Sequence, residues 1–175
     1  YNSYTPVDGY LDLKEAISRK FLRDNKLSYS TNQIVVSTGA KQSIANVVEA
    51  MINPGDEVIL LAPFWVSYSA MIEICGGVPV VVKSDISSNF KVTASEIKYH
   101  ITSKTKMIII NSPNNPSGSV YNEIELREIG KMLEDYPEIF ILSDEIYEHI
   151  NYGVEHFSFA SIPEMYNRTI TVNGV

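Results

Sequence analysis

Short β-branched or apolar runs recur along this chain, and an alternation of these with helical spacing limits its folds most tightly. The runs are Ile34–Ser37, Val58–Leu61, Val78–Val82, Met107–Ile110, Ile139–Leu142 and Thr169–Val172. Near-continuous apolar runs of this length suit parallel strands covered on both faces. Between many of them the apolar period changes. Leu13, Ile17 and Phe21 share one face of a predicted helix from about Leu11 to Asn25, and Ile44, Val47, Val48 and Met51 mark the next. Trp65–Cys75 reads as a third helix. Leu126, Ile129 and Leu133 mark a fourth within Glu123–Tyr136. Asn53-Pro54-Gly55-Asp56, Gly76-Gly77 and Tyr136-Pro137 punctuate the pattern. Strands alternating with helices predict an α/β layered fold. No repeat, low-complexity tract or composition shift divides it, so one domain is expected.

At 175 residues and 45% hydrophobic, the chain can bury a full core. Its net charge of −7 argues against nucleic acid or an anionic membrane as the main partner, because both call for a basic surface. A small anionic ligand in a local positive pocket stays compatible. The single cysteine, Cys75, lies in an apolar stretch with no CxxC or Cys/His ligand spacing, and reads as a small buried residue in a reducing compartment. No apolar run is long enough to span a bilayer. The chain starts at Tyr1 without a signal-peptide pattern. A cytoplasmic location is the expectation.

Ligands of open parallel sheets sit in the crevice outside the carboxyl ends of the strands. Special residues cluster just there. Thr38-Gly39-Ala40-Lys41 follows the first run, and Pro63-Phe64-Trp65 the second. Asn111-Ser112-Pro113-Asn114-Asn115-Pro116-Ser117-Gly118 follows the fourth, and Asp144-Glu145-Ile146-Tyr147 the fifth. Each piece has a plain reading beside a functional one. Gly39-Ala40-Lys41 opens a helix whose free N–H groups and positive end suit a phosphate or carboxylate; it is also an ordinary turn with a solvated lysine. Asp144 ends a buried strand, where a carboxylate needs a cation or several donors. A protonated pyridine nitrogen is one such cation. A metal is another, although no compact Asp/Glu/His set surrounds the motif. Tyr147 falls on the same side if the chain turns helical; otherwise the pair is a cap and a core tyrosine. Asn115 sits in turn chemistry and can also donate an amide bond. Trp65 can stack on a heteroaromatic ring or fill the core. His149 and His156 have no obvious partner.

Taken in order, Tyr4-x-x-x-x-Gly9, Thr38-Gly39-Ala40-Lys41-Gln42, Asn53-Pro54-Gly55-Asp56, Pro63-Phe64-Trp65-Val66-Ser67-Tyr68, Asn111 to Gly118, and Ser143-Asp144-Glu145-Ile146-Tyr147 resemble successive landmarks of the class I/II pyridoxal-phosphate (PLP) aminotransferases. The likeness extends from Tyr1 to Val175 and is strongest to the bacterial-type aspartate aminotransferases. It implies a three-layer fold, a mostly parallel sheet with helices on both faces, as an incomplete fold type I large domain. It assigns Asp144 to the pyridine nitrogen, Tyr147 and Asn115 to the phenolic oxygen, Trp65 to stacking, and Gly39, Ala40 and Lys41 to the phosphate side. Lys41, Trp65 and Asn115 would also face the substrate, Lys41 at the distal carboxylate of an acidic one. Tyr4 matches a tyrosine that reaches the neighbouring subunit's phosphate, which implies a homodimer.

The resemblance further implies that residues 1–175 are the central part of that domain, without the N-terminal arm, the Schiff-base lysine about two residues beyond Val175, or the small domain. No catalytic residue and no metal ligand is then expected within the chain. The parent would move an amino group from aspartate or glutamate to a 2-oxo acid, while these residues alone would be inactive. Rival readings are a C–S β-lyase or an aromatic or prephenate aminotransferase on the same scaffold, and a non-catalytic phosphometabolite-binding domain.

Overall fold

A computed structural model describes residues 4–150 and 152–174. Tyr1 to Ser3 and Val175, the two ends of the family likeness, lie outside the described residues. The runs build five strands, β1 (Glu57–Leu61), β2 (Val78–Val82), β3 (Thr105–Asn111), β4 (Phe140–Asp144) and β5 (Thr169–Val172). All pair in parallel, in the order β2-β1-β3-β4-β5. The helices are α1 (Leu11–Lys20), continued by a π turn over Phe21–Asn25, then α2 (Ala40–Met51), α3 (Ser67–Ile74), α4 (Ala94–Tyr99) and α5 (Glu123–Leu133).

Successive strand residues point to opposite faces, and two cores result. Val58, Leu60, Met107, Ile109 and Leu142 meet Ile44 and Val48 of α2 and Tyr68 and Ile72 of α3. Ile59, Leu61, Ile108, Ile110 and Ile141 meet Ile97 of α4 and Leu126, Ile129 and Leu133 of α5. The fold is therefore three-layered, with helices on both faces of the sheet. From β1 the chain steps one way to β2 through α3, then back across to β3 and β4 through α4 and α5 on the other face. Right-handed crossovers running in opposite directions put their helices on opposite faces, and this leaves a switch point between β1 and β3. Among the described residues no helix is long and apolar enough to cross a membrane.

Three expectations need correction. Ile34–Ser37 is not a strand, because among the described residues its backbone finds no ladder partner; Val36 N–H donates to the Asp8 carbonyl at 3.1 Å and Ile34 N–H only closes the preceding turn on Thr31 O. Gly9, at φ +99°, makes that approach possible, since a Cβ there would stand 2.7 Å from Val36 Cβ. Leu13 is exposed rather than buried, while Phe21 packs with Leu27 and Ala160. Cys75 is half-buried at the end of α3.

Tyr121 ties the segment before α4 to the one before α5. Its hydroxyl accepts from Val92 N–H at 2.7 Å and donates to Val92 O at 3.1 Å, and burial pushes its pKa up to about 12. Tyr121→Phe strands both Val92 groups. A loss of about 2 kcal/mol is expected in urea unfolding of the full-length apoprotein.

Candidate active site

The loops leaving β1 and β3 flank the switch point, where open parallel sheets have their ligand crevice. They are stitched together: Asn114 Nδ2 donates to Pro63 O at 3.1 Å. Asn111 and Asp144 are the last registered pair of β3 and β4. Asn111 Nδ2 donates to Asp144 O at 2.9 Å, and its Oδ1 accepts from Asn115 N–H at 2.7 Å, which sets the start of the Asn115 loop. Asn115 Nδ2 in turn stands 3.5 Å from the Tyr147 hydroxyl.

Asp144 is 4% exposed. Tyr68 donates its hydroxyl to Oδ2, and Ile146 N–H reaches Oδ1 at 3.3 Å. Burial raises the Asp144 carboxyl above its ordinary value; the Tyr68 bond opposes this and the neighbouring Glu145 adds to it. Tyr68 is raised too, by burial first and then by the Asp144 charge, so the shared proton stays on the phenol. Among the described residues this carboxylate has neutral donors but no cation beside it, the unfinished electrostatics that a positively charged ligand edge completes.

From Asp144 the contacts run on to the other loops. Trp65 meets Tyr68 edge to face at 5.4 Å, and Lys41 Nζ lies 5.1 Å from the centre of the Trp65 ring. Lys41 is the second residue of α2. Gly39 caps that helix at φ +86°, and a Cβ there would meet nothing within 4 Å. The Ala40 and Lys41 amides thus open α2 next to this uncrowded glycine and an exposed ammonium, a fitting seat for a phosphate. Gly39, Ala40, Lys41, Trp65, Asn115, Asp144 and Tyr147 are joined at one end of the sheet. Tyr4 is not among them; it is fully exposed. The residues present fit PLP: a buried acid for its ring nitrogen, a phenol and an amide for its oxygen, and a helix end for its phosphate.

Sequence reading gave no role to Tyr68, Asn111 or Asn114. Tyr68 follows Trp65 at helical i+3 spacing, and Asn111 ends an Ile-Ile-Ile strand, so both signals were present. Two further expectations change. His156 has partners, with Nε2 3.1 Å from Glu145 Oε2 and 3.9 Å from Glu148 Oε2, and a compact Asp/Glu/His set therefore does exist directly behind Asp144. It stayed hidden because its members are brought together only by a loop.

Known proteins are similar throughout. The family described as aminotransferase class I and II matches residues 1–175. An aspartate aminotransferase of Bacillus sp. (strain YM-2) is 48% identical, covering all of this chain and 45% of the relative. A probable aspartate/prephenate aminotransferase of Rickettsia bellii is 46% identical over all of this chain and 44% of its own length. The crystal structure of the aspartate aminotransferase from Rhizobium meliloti superposes with a TM-score of 0.97 at 44% identity, covering 99% of this chain and 44% of that one. The chain spans less than half the length of these relatives.

Proposed function

This chain belongs to the aminotransferase class I and II family, and from that premise we propose that the whole protein transfers an amino group from aspartate or glutamate to a 2-oxo acid, using PLP. Residues 1–175 are in this reading the central part of the cofactor-binding large domain. The observation that carries it is Asp144, a buried carboxylate with no cation beside it among the described residues, and the Asn115–Tyr147 pair nearby. Relatives named for aspartate support the donor.

When bound, PLP would supply a cationic ring able to accept electrons from a substrate Cα–H bond. Asp144 holds the proton on the ring nitrogen. Tyr147 and Asn115 would donate to the phenolic oxygen and so orient the ring. Trp65 covers one face and excludes water. The Ala40 and Lys41 amides at the start of α2 would bind the phosphate, with Gly39 leaving room for it and the Lys41 ammonium placed to meet it or a distal substrate carboxylate. The proposal extends to a cytoplasmic homodimer in which the exposed Tyr4 reaches the partner's phosphate.

The test uses full-length apoprotein and PLP, with aspartate as donor to 2-oxoglutarate, glutamate as donor to oxaloacetate, and prephenate as an alternative acceptor. PLP-dependent transfer from aspartate or glutamate is expected. Prephenate as a better acceptor favours the second reading that the Rickettsia relative's name suggests. Behaviour unchanged by PLP sinks the assignment. Borohydride reduction of the bound cofactor, followed by peptide mapping, is expected to mark a lysine outside residues 1–175; label on Lys41 overturns that placement.

A further inference from the structure

The turn after β4 faces two ways. Asp144 and Tyr147 meet the crevice residues Tyr68 and Asn115, whereas Glu145 and Glu148 point behind the turn and are 1% and 4% exposed. Two buried carboxylates here need a reason, because removing charge from water is costly unless donors repay it. The donors are present. Glu145 Oε1 accepts from Ser143 Oγ at 2.8 Å, Ser158 Oγ at 2.9 Å and Phe159 N–H at 3.2 Å, and its Oε2 faces His156 Nε2. Glu148 pairs with Lys20 and accepts from Asn25 Nδ2 at 2.9 Å. Burial raises the Glu148 carboxyl, but the bonds from Lys20 and Asn25 outweigh it and hold it below its ordinary value. His149 lies at the outer edge, 2.9 Å from Glu148 Oε1.

These groups can also be read as a cation site, since ligand atoms of Glu145, Glu148 and His156 lie within 4.8 Å of one another. The bonding argues otherwise. Glu145 Oε1 already has three donors, and the Lys20 ammonium already stands on Glu148. The cluster is closed by donors from α1, its π turn, Ser143 of β4 and the 156–159 segment, so several separate elements converge on the turn.

We propose that Glu145, Glu148 and His156 are positioning residues: they grip the turn from behind and so fix the placement of Asp144 and Tyr147 toward the ring edges those two hold. The inference rests on the PLP reading above. Partners one shell out from a ligand-holding group change affinity by about 10–100-fold when removed, and the turn has no other polar anchor of this extent among the described residues.

The experiment compares wild type, His156→Phe and His156→Gln in the full-length protein. It measures the PLP dissociation constant of the apoprotein, the pH midpoint of the visible band of bound PLP, and apoprotein melting. His156→Phe removes the donor to Glu145 at similar size, and His156→Gln keeps an amide donor. We expect PLP binding about tenfold weaker and a midpoint moved by about half a unit or more in His156→Phe, with His156→Gln within about threefold of wild type. A folded His156→Phe protein whose affinity and midpoint match wild type, even with a lowered melting temperature, overturns the proposal, since a purely structural role touches melting alone. Should His156→Phe fail to fold, Ser158→Ala, which deletes one donor to Glu145, decides: about threefold weaker PLP binding supports the clamp, and unchanged binding overturns it. A wild-type protein that ignores PLP removes the function itself; normal wild-type binding with silent variants removes only the clamp.

Discussion

In the full-length protein Asp144→Asn is expected to weaken PLP binding by about 100-fold or more while leaving the apoprotein as stable as wild type, or more so, near neutral pH. Breaking a buried charge pair by removing one member costs about 3–5 kcal/mol, and each 1.4 kcal/mol is a factor of ten. The opposite sign for the apoprotein comes from the same burial. The Asp144 carboxyl is raised from its ordinary 3.8 by desolvation, so the folded apoprotein holds this proton to higher pH than the unfolded chain does. The stability linked to it is complete below about 3.8 and drains away as pH rises through the raised value. Asparagine does not titrate. The melting gap between Asp144→Asn and wild type should therefore be smallest near pH 4 and grow toward neutrality. Bound cofactor reverses the order, because a cationic nitrogen favours the charged carboxylate. Calorimetry with and without PLP reads both signs in one series. Equal PLP affinity in the two proteins would remove Asp144 from the cofactor's nitrogen.

Much of this was legible because parallel sheets write themselves as local signals. A buried strand is a short apolar run, and its crevice end is marked by whatever cannot be apolar, as at Asn111 after Ile108-Ile109-Ile110 and at Asp144 after Ile141-Leu142-Ser143. Ile34–Ser37 misled because strand propensity reports fitness for a pleated surface, not the presence of a neighbour. Helix α4 was readable but unread: Thr93 and Glu96 form a reciprocal cap, with Thr93 N–H donating to Glu96 Oε2 at 2.7 Å. The cluster behind Asp144 was not readable. Lys20, Glu148 and His156 carry no shared period or motif, and only tertiary contact makes them one unit.

Arg168 supplies the second large effect, and it belongs to the opposite end of the sheet. It precedes β5, and its guanidinium donates from Nη1 to Tyr136 O at 2.5 Å and to Ile139 O at 3.3 Å, and from Nη2 to Leu133 O at 2.7 Å. Leu133 ends α5, whose last carbonyls lack helical partners. One planar fork thus closes a helix end, steers the turn into β4 and anchors the start of β5. Desolvation lowers the Arg168 pKa, yet the group stays charged because arginine titrates so high. Hydrogen bonds from charged donors contribute about 1.5–3 kcal/mol each. Because Leu133 O and Tyr136 O keep a backbone donor each, the three bonds do not add fully. Arg168→Ala is expected to cost about 3 kcal/mol in urea unfolding of the apoprotein. Arg168→Lys should recover less than half, since one ammonium cannot span three carbonyls in a fixed plane. PLP affinity should stay within about threefold, because Asp144 registers with Val172 at the far end of β5 and Arg168 touches only the near one. Loss of affinity as large as that of Asp144→Asn would mean that the two ends of the strand are coupled, and a stability change under about 0.5 kcal/mol would mean that the fork is ornamental.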